Sequence, residues 1–251
     1  MLCYLPPGEA IGMIGRAGFR FVEFGLTHER RFLEQAGGSK TEEARLERIR
    51  RAAEDAGVQI VQMHGPMFNV CAEDAAAGIA AAHRSLRRAA RLGARWVVLH
   101  PGSAQGLTSD RERYEWTKQR NVEVFRDLLT TAEQVGVGIA IENMGGSEGP
   151  AFGTNVSELL WLVEALDSPY AGICWDTGHA HLAGLDQGLA IRAVGTYLVA
   201  LHLSDNDGKK DQHWCPGRGS VDWHAVMGAL RDVGYAGPLN LEVPGETGVT
   251  P

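Results

Sequence analysis

The sequence predicts an α/β protein made of a single (β/α)8 TIM barrel, and three observations lead to this fold class. Short apolar runs alternate with longer amphipathic stretches along the whole chain, which is the pattern of repeated strand-helix units. Most of the runs are continuously apolar, as expected for parallel strands covered on both faces. The 251 residues contain no Ser/Gly-rich linker, and barrels of about 250 residues form one domain. We therefore expect one barrel domain over residues 1–251.

Eight apolar runs are the predicted strands. They are Leu2–Leu5, Phe19–Phe24, Val58–Met63, Trp96–Leu99, Val137–Ile141, Ala171–Trp175, Val199–Leu203 and Leu239–Val243. The clearest helical patterns between them are Asp74–Leu92 and Arg113–Val135, where apolar residues recur at spacings of three and four. Several predicted helices end just before the next strand at a glycine, the residue favoured at a helix C-cap: Gly57, Gly93, Gly136 and Gly234.

The last predicted strand lies close to the end of the sequence. Eight residues follow Val243, which leaves no room for a helix after the eighth strand, so the predicted barrel lacks its final helix. The apolar strand surface near Leu239 and Leu241 would then need a cover. Either the N-terminal segment or a second subunit could supply it, and the second case predicts a homo-oligomer.

Composition and charge exclude several classes of protein. The chain has 24 Lys and Arg against 31 Asp and Glu, and the net charge of −7 argues against a general nucleic-acid binder. No apolar run approaches the roughly 20 residues of a membrane-spanning helix. The N-terminus lacks the pattern of a secretory signal, and the four cysteines are scattered without a CxxC pair. We expect a reduced, cytoplasmic protein with no membrane association.

Metal-binding side chains stand at the ends of six successive predicted strands. They are His64, His100, Glu142, Asp176, His202 and Glu242. His179 follows three residues after Asp176, and Asp211 and His213 lie in the loop after the seventh strand. Because parallel strands of a barrel bring their C-terminal ends to one mouth, we expect all nine side chains to meet there.

Histidines combined with carboxylates suit zinc or manganese better than calcium or copper(I). Without a cation, such a cluster would bury several like charges together, which costs free energy. We expect ligation by four of the nine residues, Glu142, Asp176, His202 and Glu242. For the other five the choice between metal ligand and substrate contact stays open: His64, His100, His179, Asp211 and His213.

Other charged residues near the expected mouth carry less information. Three basic residues in the loop after the seventh strand could hold a phosphate, although solvated loop charges explain them more simply: Lys209, Lys210 and Arg218. Glu23 ends the second predicted strand. We interpret it as a hydrogen-bond partner at the mouth and not as a catalytic residue.

The motifs together resemble the xylose isomerase-like TIM barrel superfamily. They are Met-His64-Gly-Pro, Val-Val-Leu-His100-Pro-Gly, Ile-Glu142-Asn, Trp-Asp176-Thr-Gly-His179-Ala, Leu-His202-Leu-Ser-Asp-Asn, Asp211-Gln-His213 and Leu-Glu242-Val. The resemblance covers about Phe19 to Glu242. The superfamily contains sugar and sugar-phosphate isomerases and epimerases, and also the endonuclease IV repair enzymes.

The resemblance to the epimerase branch implies one divalent ion, commonly manganese, held by the matches to Glu142, Asp176, His202 and Glu242. It also implies that both glutamates exchange protons with the substrate and that His179 contacts the sugar. Our leading hypothesis is therefore a metal-dependent isomerase or epimerase of a small sugar or sugar phosphate. The proton transfer would pass through a metal-stabilised enediolate. Which glutamate is the base stays open.

Two rival hypotheses remain. In the endonuclease IV branch, residues matching all nine positions hold three zinc ions that cleave DNA at abasic sites. Binding DNA requires many Lys and Arg residues, and the mouth loops offer only the basic cluster already named. The acidic net charge weakens a nucleic-acid partner without excluding it. The other rival is a sugar- or metal-binding barrel without turnover, against which the presence of both glutamates speaks.

Overall fold

The computed structural model describes residues 2, 4–33, 39–104, 111–146 and 151–243. Its centre is a curled parallel sheet of six strands that pair in the order of the sequence. The strands are β1 (Phe21–Phe24), β2 (Gln59–His64), β3 (Trp96–Leu99), β4 (Gly138–Glu142), β5 (Ala171–Asp176) and β6 (Leu198–His202). The predicted α/β class is confirmed, and the sheet forms part of a barrel.

Nine α-helices in the described part of the chain surround this sheet. They are α1 (Pro7–Arg16), α2 (Leu26–His28), α3 (Ser39–Asp55), α4 (Ala75–Leu92), α5 (Arg111–Val135), α6 (Val156–Leu166), α7 (Thr177–Leu182), α8 (Gln187–Val194) and α9 (Trp223–Asp232). A π-helix (Glu29–Leu33) continues α2, and a 3-10 turn (Gly195–Tyr197) precedes β6. None of the described helices combines the length and apolar character that crossing a membrane requires.

The helix boundaries agree closely with the sequence pattern. Asp74 is the N-cap of α4 and not its first residue, and α5 begins two residues before the predicted Arg113. Gly93 caps α4 at φ 82°, a left-handed conformation that a β-carbon disfavours. The other predicted cap glycines also have positive φ values: Gly57, Gly136 and Gly234.

The barrel interior below the mouth is filled by small side chains. One residue from each of four strands forms this cluster: Val98, Ala140, Cys174 and Ala200. Since side chains of a strand alternate between its two faces, the residue two positions further along points to the same side. These residues are His100, Glu142, Asp176 and His202. The alternation therefore places four of the predicted site residues directly above the filled interior.

The predicted first strand is wrong in the part that the structure describes. Leu2, Tyr4 and Leu5 belong to no strand, and the Leu5 N–H donates to the Leu2 carbonyl at 3.1 Å in a turn. Helix α1 begins at Pro7, directly after the N-cap Pro6. Because proline has no N–H to give to a ladder and favours the first turn of a helix, the short apolar run turns into α1 instead of pairing.

The predicted eighth strand is reduced to a single parallel bridge between Leu203 and Leu241. The Leu203 N–H donates to the Asn240 carbonyl at 2.8 Å, and the Glu242 N–H donates to the Leu203 carbonyl at 3.1 Å. Strand β6 ends at His202, so it offers this segment little length for pairing, and Pro238 has no N–H.

The bridge leaves Leu239 and Leu241 half exposed, at 51% and 44%. Helix α1 packs against α3, so the described N-terminal residues leave these leucines exposed. Cover by a second subunit stays a prediction. The expected absence of a helix after the eighth strand concerns residues 244–251, which lie outside the described residues.

Candidate metal centre

Four donors from different parts of the chain converge at the mouth: Glu142, Asp176, His202 and Glu242. Each offers one ligand atom, and these atoms all lie within 4.8 Å of one another. The first three are almost fully buried. The Asp176 Oδ2 and Glu242 Oε2 atoms are buried without a hydrogen bond. Because buried carboxylate oxygens normally have a partner, two such atoms in a His-carboxylate cluster fit a divalent cation of the zinc or manganese type.

Glu142 is the centre of this cluster. Its Oε2 atom accepts a hydrogen bond from His100 Nε2 at 2.9 Å, and its Oε1 atom accepts one from His202 Nδ1 at 3.0 Å. Burial by itself raises the pKa of this carboxyl group, but the charges and hydrogen bonds of His202 and His100 outweigh burial. They hold the pKa of Glu142 well below its usual range. Glu142 is therefore ionised.

The pKa of Glu242 is displaced in the opposite direction. Burial raises its pKa well above the usual range, and the neighbouring charges of Glu142 and Asp176 raise it further despite the attraction of His202. The site thus contains two glutamates whose pKa values are shifted in opposite directions and whose ligand atoms lie within 4.8 Å of one another. Environments that shift the pKa values of two carboxyl groups in opposite directions are a feature of acid-base catalytic sites.

His202 is oriented from behind by Glu23. Its Nε2–H donates to Glu23 Oε2 at 2.8 Å, while Nδ1 lies 3.0 Å from Glu142 Oε1 and 3.2 Å from Glu242 Oε2. Gln62 Nε2 donates to the same Glu23 oxygen at 2.7 Å. In metal-binding histidines, the ring nitrogen that does not bind the metal usually donates a hydrogen bond to a carboxylate or another acceptor. The interpretation of Glu23 as a hydrogen-bond partner is confirmed.

A second donor group shares Glu142 with the first. His64, His100 and Glu142 present ligand atoms within 4.8 Å of one another, as do His64, His202 and Glu242. The His64 Nδ1 atom lies 2.9 Å from the Gly65 carbonyl and donates to it, which leaves Nε2 facing Glu142 at 3.9 Å. The His64 ring stacks on the His202 ring with centroids 5.6 Å apart. His64 and His100 therefore lie beside the four donors and not in a separate site.

A third group comes from α7 and the loop after β6. Asp211 Oδ2 lies 3.0 Å from His213 Nε2 and 3.5 Å from His179 Nε2. His213 Nδ1 donates to the Glu242 carbonyl at 3.0 Å, and its backbone adopts the left-handed φ of 49°. The hydrogen bond that His213 donates to the Asp211 carboxylate raises the pKa of His213 to about 9. The structure thus brings all nine predicted residues to one mouth, and the roles of the five additional residues stay predictions.

Two polar residues that the sequence analysis did not single out organise this mouth. Asp205 is fully buried and accepts hydrogen bonds from Gly217 N, Val221 N and Trp223 Nε1, at 2.8, 3.1 and 2.9 Å. It thereby fixes the loop that carries Asp211 and His213. Asn143, directly after Glu142, bonds to both backbone groups of Asp176. The available signal was their place two residues after the end of a predicted strand, where polar residues occur at barrel mouths.

The predicted phosphate-binding residues lie on the outside of the same loop. Lys209, Lys210 and Arg218 are exposed. Asp207 Oδ1 accepts hydrogen bonds from the backbone N–H groups of Lys209 and Lys210, at 2.9 and 3.3 Å. These bonds shape the turn without assigning a function to the basic side chains. Phosphate binding at this loop stays a prediction.

Comparison with known proteins points to one family. The family described as xylose isomerase-like TIM barrel matches residues 13–251. The D-psicose 3-epimerase of Agrobacterium fabrum is 26% identical over 250 residues, which are 97% of this chain and 81% of that protein. A probable endonuclease 4 of Mesomycoplasma hyopneumoniae is 30% identical over 166 residues, 61% of this chain and 57% of that protein.

The fold comparison agrees with the sequence comparison. The crystal structure of a D-psicose 3-epimerase in the presence of D-fructose superposes with a TM-score of 0.76 at 25% identity, covering 97% of this chain and 81% of that chain. The predicted barrel fold is thereby confirmed. Two further relatives, from Methanocaldococcus jannaschii and Sinorhizobium fredii, are matched over 50% and 49% of their length. The chain therefore spans about half of each of these two proteins.

Proposed function

Because the chain belongs to the xylose isomerase-like TIM barrel family, we propose that it is a divalent-metal-dependent isomerase or epimerase of a small sugar or sugar phosphate. The observation that carries this proposal is the pair Glu142 and Glu242. Their carboxyl groups face one donor cluster, and their pKa values are displaced in opposite directions. Such a pair can remove a proton from one position of a substrate and return one to another.

Glu142 is the proposed base. Its carboxylate is ionised, and its two oxygens have about four acceptor positions, of which the hydrogen bonds from His100 and His202 occupy two. Two positions therefore remain, one for the divalent ion and one for a proton taken from the carbon beside the substrate carbonyl. The raised pKa of Glu242 in the metal-free site favours its protonated form, and Glu242 is the proposed acid. Its Oε2 atom, which forms no hydrogen bond, is the proposed point of delivery.

The remaining residues of the centre have supporting roles in this proposal. A divalent ion held by Glu142, Asp176, His202 and Glu242 would polarise the substrate carbonyl and stabilise negative charge on its oxygen. His179 is only partly buried and lies beside Asp211. We assign it the orientation of a substrate hydroxyl. Burial lowers the pKa of His179, but the charge of Asp176, together with Asp211 and Glu142, raises it well above the usual range and favours the form in which His179 is a donor.

One observation favours a second candidate, a zinc phosphodiesterase similar to endonuclease IV. His64, His100 and the group formed by His179, Asp211 and His213 supply further donors next to the first four. Multiple zinc ions could bind the attacking and leaving oxygens of a phosphodiester. The acidic net charge of −7 speaks against a DNA substrate, since phosphate contacts require basic side chains.

The first test is the metal content per chain of protein purified without chelator or added metal. About one manganese, cobalt or zinc ion per chain supports the mononuclear proton-transfer site. Two or three zinc ions per chain would favour the phosphodiesterase, and an abasic-site DNA duplex would then be the substrate to test. The single-ion result leads to a panel of ketoses and ketose phosphates in deuterated water, with solvent exchange at the carbon beside the carbonyl followed by NMR.

Substitutions of the two glutamates complete the test. Glu142→Gln removes the ionised carboxylate, and we expect exchange to fall by about 10²–10⁴-fold. Glu158→Gln is the matched control, because Glu158 is also buried but caps α6 away from the four donors. Exchange that survives in Glu142→Gln, or that falls equally in Glu158→Gln, would contradict the proposed roles.

A further inference from the structure

We propose that Asn143 is a positioning residue of the metal centre: its side chain fixes the backbone of Asp176, and its carbonyl fixes the ring of His179. The inference rests on the proposed function only in assuming that the centre binds a divalent ion. Asn143 contacts neither the expected ion nor a substrate in this proposal. It acts through the two residues that it holds.

The side-chain amide of Asn143 forms hydrogen bonds to the backbone of β5 where the backbone pairing of β4 and β5 ends. Strand β4 ends at Glu142 and β5 ends at Asp176, so the regular backbone pairing of these strands stops at this level. Asn143 Oδ1 accepts from the Asp176 N–H at 2.6 Å, and Asn143 Nδ2 donates to the Asp176 carbonyl at 2.9 Å. Asn143 is only 1% exposed, so water does not compete for these bonds.

The two bonds determine where the Asp176 carboxylate lies. Its Oδ1 atom accepts from the His179 N–H at 2.6 Å as the N-cap of α7, which fixes one oxygen. Its Oδ2 atom is the buried oxygen without a hydrogen bond, and it belongs to the four-residue donor cluster. With the backbone held by Asn143 and one oxygen held by α7, the other oxygen has a defined position relative to the cluster.

The same residue also sets the orientation of His179. The Asn143 carbonyl accepts a hydrogen bond from His179 Nδ1 at 2.8 Å, which leaves Nε2 on the side of Asp211 at 3.5 Å. A displacement of Asn143 would therefore move the Asp176 carboxylate and the His179 ring together. This coupling distinguishes a positioning role from a purely local hydrogen bond.

The choice of asparagine follows from the need for one donor and one acceptor. Aspartate has nearly the same shape, but an oxygen would replace Nδ2 and face the Asp176 carbonyl oxygen, which repels it. Alanine would leave the buried N–H and carbonyl of Asp176 without these partners. Only a side-chain amide of this length satisfies both groups.

The test is a titration of metal-free wild type, Asn143→Asp and Asn143→Ala with Mn²⁺, together with the visible absorption spectrum of each protein saturated with Co²⁺. We expect the Kd for Mn²⁺ to rise about 10–100-fold in both variants, as for other residues that orient metal ligands. We also expect a changed Co²⁺ spectrum, because the ligand geometry differs. The spectrum is recorded on folded protein at saturation, so a loss of stability alone does not alter it.

Asn121→Asp is the matched control. Asn121 is fully buried and holds Gly102 by the same two bonds, with Oδ1 accepting from the Gly102 N–H and Nδ2 donating to the Gly102 carbonyl, both at 2.9 Å. This variant should lose stability but keep the Kd for Mn²⁺ and the Co²⁺ spectrum of wild type.

Asn143 variants that match wild type in the Kd for Mn²⁺ and the Co²⁺ spectrum would overturn the positioning role. An Asn121→Asp protein that is altered as strongly as the Asn143 variants would overturn it as well. A wild-type protein that binds no divalent ion would contradict the metal centre itself, so failure of the proposed function is distinguishable from failure of this inference.

Discussion

His202 donates from Nε2 to Glu23 Oε2 at 2.8 Å, and this hydrogen bond leaves Nδ1 as the nitrogen that faces the donor cluster. Glu23 comes from β1 and His202 from β6, the two outer strands of the sheet order. The contact therefore connects the two ends of the curled sheet across the barrel mouth. It also decides which nitrogen of His202 can bind an ion.

Removing the carboxylate of Glu23 should weaken metal binding. We expect Glu23→Ala to raise the Kd for Zn²⁺ about 10–100-fold, because the His202 ring loses the partner that orients it. Glu23→Gln keeps an oxygen that accepts from Nε2, so its Kd should lie closer to that of wild type. Competition with a chromophoric chelator measures both values. Equal affinity of wild type and Glu23→Ala would show that His202 needs no orientation from Glu23.

The stability of the metal-free protein should depend on pH through His213. The hydrogen bond that His213 donates to the Asp211 carboxylate raises the pKa of His213 to about 9, above the value of about 6.5 in an unfolded chain. A raised pKa means that the folded state binds the proton more tightly. The contribution of His213 to the free energy of unfolding is therefore complete below about pH 6.5 and is lost as the pH rises through about 9.

Urea unfolding of metal-free wild type and His213→Gln measures this contribution. The free energy of unfolding of wild type should exceed that of the variant most near pH 6, and the difference should shrink towards about pH 10. A difference that is constant over this range, or that grows with pH, would contradict the assigned ion pair between His213 and Asp211.

The strand-end residues were predictable because two regularities act together. Side chains alternate along a strand, and parallel barrel strands end at one mouth, so Glu142 and Asp176 had to meet once the strands were recognised. The family was recognised from the same motifs, and the match over residues 13–251 confirms it. Neither conclusion required exact strand boundaries.

The predictions that were wrong or incomplete concern features that depend on pairing partners far away in sequence. An apolar run such as Leu239–Val243 has the composition of a strand, but the single bridge at Leu241 depends on how far β6 extends beside it. The roles of Asn143 and Asp205 were also missed, because both residues act on backbone groups of other segments. A sequence pattern does not reveal which backbone groups will lack a partner in the fold.

A buried ion network away from the mouth should contribute strongly to the free energy of unfolding. Arg88 is 4% exposed and pairs with Glu29 at 2.7 Å and with both oxygens of Glu42 at 2.9 and 3.0 Å. Arg88→Met removes the cation from the buried carboxylate of Glu29. We expect the free energy of unfolding to fall by about 3–5 kcal/mol in urea denaturation.

The double variant Arg88→Met with Glu29→Gln provides the control for this network. It removes the uncompensated charge together with the cation, so part of the lost stability should return. Metal affinity should match wild type in both proteins if they are measured in the folded state, because the network joins α3, α4 and the π-helix outside the donor cluster. If Arg88→Met alone has the stability of wild type, the network does not make the expected contribution to the free energy of unfolding.

The substitution Asp205→Ala should loosen the loop after β6. The Asp205 carboxylate accepts from four donors, so Asp205→Ala leaves these four without their acceptor: Asn206 N, Gly217 N, Val221 N and Trp223 Nε1. We expect a loss of about 1–3 kcal/mol in the free energy of unfolding and faster hydrogen exchange at the Gly217 and Val221 amides. Amides of the central strands should lose only the protection that corresponds to the lower free energy of unfolding, and the Gly217 and Val221 amides should lose more. Unchanged exchange at Gly217 and Val221 would mean that the antiparallel bridge between Asp205 and Trp214 holds the loop by its backbone alone, since its 2.8 Å hydrogen bonds involve no side chain.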